Sequence, residues 1–146
     1  MHARRTIILA LFPVVALVVI RAGAAPAPVF VVIVNPNNPT NHVDRKFLAD
    51  AFLKKTTRWD DGELIRPVDQ VPDSPVRRKF SEDVVKRSVA AVRSYWQQVI
   101  FTGRGVPPPE VGGDDEVVRY VLKYSGAVGY VSGSANADGA KVIAVE

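Results

Sequence analysis

The sequence predicts an α/β domain with a mixed or largely parallel sheet flanked by helices. Three observations carry this reading: short β-branched apolar runs of strand length, amphipathic stretches with N-cap residues between them, and Pro- or Gly-rich breaks separating the two. No internal repeat interrupts the alternation, and the only low-complexity tract is Pro107-Pro108-Pro109.

Val29 to Val34 is a continuous apolar run that stops at Asn35-Pro36, which suits a central strand buried on both faces. Asn35 to Pro39 reads as a turn. Asp44 is placed to cap a helix carrying Phe47, Leu48, Ala51 and Phe52 and ending near Lys54, with Val43 as a staple before the cap. A polar connection holding Trp59 follows. Leu64 to Val68 reads as a second strand, and Pro67 within it points to a sheet edge or a strand end.

Asp73 or Ser74 caps the next helix, with Pro75 at its first position and Val76, Phe80 and Val84 on one face. Ser88 caps a third, whose apolar stripe is Val89, Val92, Trp96, Val99 and Ile100. Beyond the Gly/Pro-rich stretch from Thr102 to Gly113, Asp114 caps a helix running through Tyr124 with Val117, Val118, Val121 and Leu122 as its stripe. Ala127 to Val131 is a strand, Ser132 to Gly139 a small-residue turn, and Lys141 to Val145 a last short strand.

The N-terminus has the three parts of a secretory signal: Arg4 and Arg5, an apolar run from Thr6 to Ile20, and the small residues Ala22-Gly23-Ala24. The reading is a signal peptide over residues 1–24, a linker over 25–28 and one domain over 29–146. A retained anchor is the competing reading, but the 15-residue run is shorter than the ~20 residues a spanning helix needs. No membrane span is expected once the signal is cleaved, and the expected location is periplasmic or secreted. About 122 residues then remain, room for one lobe rather than two.

Losing Arg4, Arg5 and Arg21 from the 19 basic residues leaves 16 against 15 acidic ones, so the net charge falls from +4 to +1. That balance gives no electrostatic case for a nucleic-acid partner. The absence of cysteine excludes disulfides, so core packing must hold the fold.

Catalytic chemistry finds few carriers. The mature part has one histidine, His42, in a turn, and no G-x-S-x-G elbow to accompany it, so no enzyme, metal site or cofactor is expected. Asp60-Asp61-Gly62-Glu63 lacks the alternating ligand spacing of a calcium loop and reads as a turn; Asp114-Asp115-Glu116 reads as carboxylates favoured at a helix start. A small anion is the better-supported ligand class, because helix starts present unpaired N–H groups. Ser74 and Arg77 combine a hydroxyl, a helix start and a guanidinium, although Pro75 removes one donor. Thr102, Gly103 and Arg104 form the second candidate, a loop that can turn N–H groups inward beside an arginine.

Phe47 to Trp59, F-L-A-D-A-F-L-K-K-T-T-R-W, followed by Asp60, resembles the helix, I-F-L-G-K and W-x-D segment of type II periplasmic substrate-binding proteins of the phosphate-transport branch. Ser125 to Val131, S-G-A-V-G-Y-V, is similar to that family's P-G-A-I-G-Y-V strand. The resemblance covers most of the mature chain and implies a single lobe of a fold that normally closes two lobes on an oxyanion and delivers it to an ABC transporter. The family's arginine and S-G-T signature align with Asp69 and Ser74-Pro75-Val76, so only the serine is kept. Aspartate in place of the arginine opposes an anion by about 1 to 4 kcal/mol at ~4 Å. The resemblance thus implies a noncatalytic solute-binding-like module whose ligand is phosphate or another small anion, with a homodimer or a second protein enclosing the site. The alternative is an envelope protein-interaction module that has lost its small ligand.

Overall fold

The computed structural model describes residues 21–146; the leader expected over 1–24 lies, up to residue 20, outside the described residues. The apolar run near the start forms β1 (Phe30–Val34), and its neighbours in the sheet come from the far end of the chain: β6 (Ala127–Ser132) on one side and β7 (Lys141–Val145) on the other. Both pair antiparallel to β1, with Val32 opposite Tyr130 and Ile143. The outer positions are taken by β2 (His42–Val43), parallel to β7, and β3 (Arg66–Pro67), parallel to β6, so the five-stranded sheet is mixed.

Pro67 sits on the edge strand, where its missing N–H costs nothing. The flanking amides of Arg66 and Val68 donate to Gly126 and Val128 carbonyls at 2.9 Å, while position 67 faces away from the partner. The strand expected over Leu64 to Val68 is shorter in this sheet: Leu64 only bridges Arg58, and the chain beyond Val68 leaves to form β4 (Asp69–Gln70), parallel to β5 (Glu110–Val111) in a separate two-stranded sheet.

Alternation along β1 and β6 builds two cores. Val32, Val34, Val128 and Tyr130 face helix α1 (Arg45–Phe52) and the segment made of α2 (Pro75–Phe80) and a π-helical turn (Ser81–Val85). Ile33, Ala127 and Val131 face helix α4 (Asp114–Lys123) through Val117, Val118 and Val121. Two-sided burial is why β1 carries no polar alternation. Helix α3 (Val89–Phe101) buries a narrower line, Val92, Trp96 and Val99, in a satellite cluster.

Caps follow the local chemistry, with one correction. Asp44, Ser74 and Ser88 each accept from the amide three residues on, at 2.6, 3.3 and 3.1 Å. Helix α4 is instead capped by Gly113 with no side-chain bond, which frees Asp114 for tertiary contacts. Two stripe assignments also change: Ile100 and Leu122 are half exposed, because each lies beside the buried line of its helix rather than on it. Trp59 is buried against Phe47, and its Nε1 donates to the Gly126 carbonyl at 3.0 Å, fixing the connection after α1 to the start of β6. Among the described residues no helix is long and apolar enough to cross a membrane.

Gly129 sets the approach of α4 to the sheet. A Cβ there would lie 2.5 Å from Val117 Cγ1 and 2.9 Å from Val68 Cγ1. Gly129→Ala is therefore expected to destabilise the protein by about 1 to 3 kcal/mol through overpacking, read from the urea unfolding midpoint.

Candidate functional site

Departure of β4 from the main sheet places Asp69 and Gln70 where the starts of α2 and α4 meet the C-terminal end of β6. Gln70 is the hub. Its Nε2 donates to Asp114 Oδ1 at 3.0 Å and to the Tyr130 carbonyl at 3.1 Å, its Oε1 accepts from Ser74 Oγ at 2.7 Å, and its backbone carbonyl accepts from Arg77 Nη1 at 2.6 Å. Asp114 spans the other side, accepting from the Ser132 amide at 3.1 Å and the Ser132 hydroxyl at 2.6 Å. Hydroxyl, amide and side-chain donors thus converge, and an internal carboxylate or carbonyl receives them.

Arg77 lies on the inner side of this network, 3% exposed. Its guanidinium is 3.4 Å from Asp69 Oδ2 and 3.1 Å from Glu110 Oε1. Asp69 also accepts a bond from the Tyr130 hydroxyl and one from the Gln70 amide. Burial pushes the Asp69 carboxyl above its ordinary range despite Arg77, whose charge is shared with Glu110. Burial, then the neighbouring Asp69 carboxylate, pushes the Tyr130 hydroxyl far above the usual tyrosine range, so it remains a donor.

The residues singled out from the sequence separate into two places. Ser74 and Arg77 belong to the network, Ser74 as the cap of α2 and Arg77 as the partner of internal carboxylates. Thr102, Gly103 and Arg104 close the end of α3: Thr102 Oγ1 donates to the Gln98 carbonyl at 3.0 Å, Gly103 takes φ +67°, and Arg104 Nε donates to Thr102 Oγ1 at 3.0 Å. Arg104 there borders a cavity with Lys54 and Lys55, apart from the network. His42 lies on β2, exposed, in an open groove with Asp44, Asp60 and Glu146.

Gln70, Asp114 and Tyr130 were not legible as site residues. Gln70 and Tyr130 lie 60 positions apart, and nothing local to either marks the contact. For Asp114 a signal existed, since Gly113 before it can itself begin a helix and release the aspartate from capping.

Two outcomes follow from the buried pair. Arg77→Ala leaves the buried Gln70 carbonyl without its charged donor and lets Asp69 neutralise by taking up a proton, and is expected to cost about 1 to 3 kcal/mol in urea unfolding. Asp69 holds its proton in the folded chain at pH values where the unfolded chain, titrating near 4, has released it. Its contribution to stability therefore falls as pH rises from about 4 through the raised folded value. Between pH 4 and 7 the wild type should lose stability relative to Asp69→Asn; parallel urea midpoints for the two proteins would contradict this.

No protein-family model matches the chain, and no curated protein does. Solved structures do. A phosphate ABC transporter substrate-binding protein with bound phosphate from Clostridium perfringens superposes with a TM-score of 0.64 at 22% identity, over 80% of this chain and 44% of that one. An ABC-type phosphate transport receptor from Vibrio cholerae gives 0.61 at 20% identity, over 80% and 45%. PstS from Borrelia burgdorferi gives 0.62 at 11% identity, over 81% and 47%. The chain spans less than half the length of these proteins, and what it shares with them is the α/β fold of that part.

Proposed function

We propose that this chain is an exported, noncatalytic module of the solute-binding type, related in its working to the substrate-binding components of phosphate transport. The observation that carries the reading is the fold shared over four-fifths of the chain with a phosphate ABC transporter substrate-binding protein and an ABC-type phosphate transport receptor. Its ligand is a small anion, with two separate sets of candidate contacts: Ser74 and Arg77 within the network, or the loop Thr102-Gly103-Arg104 at the end of α3. A small-molecule site normally encloses most of its ligand. A second copy of the chain, or an envelope or transporter protein, would supply what one lobe leaves open.

A specific observation favours a second reading, that of an envelope protein-interaction module. Asp69, Glu110 and Asp114 already receive the donors that an external anion would use, so an incoming anion must displace a carboxylate it also repels. Calorimetric titration of the purified protein with phosphate, sulfate, small carboxylates and sugars separates the two. Saturable binding of any of these supports the first reading. Absence of all binding, together with recovery of one stoichiometric envelope partner from cross-linked cells, establishes the second in its place.

A further inference from the structure

The sequence hides a separation of charge. From Val84 to Pro109 there is no carboxylate, while Lys86, Arg87, Arg93 and Arg104 are present; from Ala51 to Trp59 there are Lys54, Lys55 and Arg58 and again no carboxylate. The fold brings the two stretches to one cavity of about 460 Å³, lined by Lys54, Lys55 and Arg104 together with Tyr95, Trp96 and Val99. Its volume falls in the ~300 to 1,000 Å³ range of small-molecule sites. No acidic side chain lines it, and among the described residues none of the three cations is ion-paired.

The cavity is also held in shape. The Tyr95 hydroxyl donates to the Leu53 carbonyl at 3.0 Å, and the Tyr95 ring meets Trp96 edge-on at 5.1 Å. Arg104 is positioned by its own amide donating to the Val99 carbonyl at 3.1 Å and by the Nε bond to Thr102. Lys54 occupies the residue after the C-cap of α1 with φ +54°, a left-handed conformation that glycine adopts without strain and lysine does not. Partial burial lowers its pKa, with no carboxylate opposing the shift. Lys54 is thus a partly desolvated cation in a cavity with no lining carboxylate to balance it.

We propose that this cavity binds a small organic anion, its carboxylate, sulfonate or phosphate monoester head held by Lys54, Lys55 and Arg104 and its planar apolar body lying against Tyr95 and Trp96. The site is independent of the Ser74 network and does not require that network to bind a solute. Arginine supplies the planar, two-pronged contact to the head, and the two lysines supply point charges.

Phenyl phosphate is a suitable probe, titrated into isotopically labelled protein and followed by amide and indole NMR shifts, with inorganic phosphate and benzyl alcohol isolating the charge and the ring. Saturable shifts at Lys54, Lys55, Tyr95, Trp96 and Arg104 are expected, with inorganic phosphate at least tenfold weaker and benzyl alcohol without effect. Arg104→Gln and Lys54→Gly should each weaken phenyl phosphate about tenfold, the worth of one charge-assisted contact. Because Lys54→Gly also relieves the left-handed strain, its urea midpoint should rise while its affinity falls, which separates loss of the site from loss of the fold. The proposal is overturned by the absence of saturable shifts at the cavity, by unchanged affinity in both variants, or by shifts centred on Ser74 and Gln70 instead.

Discussion

A buried guanidinium cannot be left unpaired, and much of the arrangement around β4 follows from satisfying Arg77. Asp69 and Glu110 supply its negative partners and the Gln70 carbonyl its remaining acceptor. Asp69 and Glu110 are themselves opposed in the parallel pairing of β4 with β5. The small second sheet is therefore also the frame that brings two carboxylates to one cation. Desolvating Arg77 and Asp69 costs several kcal/mol per ion, which the pairing and hydrogen bonds offset, with the exposed Glu110 adding a second partner at the rim.

Tyr130 joins this polar network to the apolar core. Its ring stacks on Phe80 at 4.0 Å and lies 5.8 Å from Phe52, while its hydroxyl reaches Asp69. One side chain thus couples the packing of α1 and α2 on the sheet to the polar crevice above it. On the opposite face of β6, Gly129 lets α4 approach and so carries Asp114 to Ser132 and Gln70. The crevice between the starts of α2 and α4 is consequently filled by the protein's own carboxylates.

Away from that crevice the logic is reversed. The polar network pairs its charges internally, whereas the junction of α1 and α3 collects cations and leaves them open. The modest net charge of +4 conceals this, because 15 acidic residues elsewhere offset most of the 19 basic ones. Lys54 stands at the same place in the left-handed conformation that ends α1.

The sequence by itself determined the order and type of the main elements. Uninterrupted β-branched runs specify strands buried on both faces, and Asp44, Ser74, Ser88 and Pro75 mark helix starts, because capping and periodicity are local interactions. Pro67 announced an edge or a strand end for the equally local reason that it lacks an N–H, and it is the last residue of the edge strand β3. Tertiary structure alone decided which charges meet. Ser74 was legible as a cap, but whether Arg77 would face a solute or Asp69 and Glu110 depended on β4 pairing with β5, across 41 positions of sequence. The convergence of Lys54 and Lys55 with Arg104 likewise rests on the docking of α3. Charge pairing acts through space, and a local pattern carries no record of which distant side chain arrives to complete it.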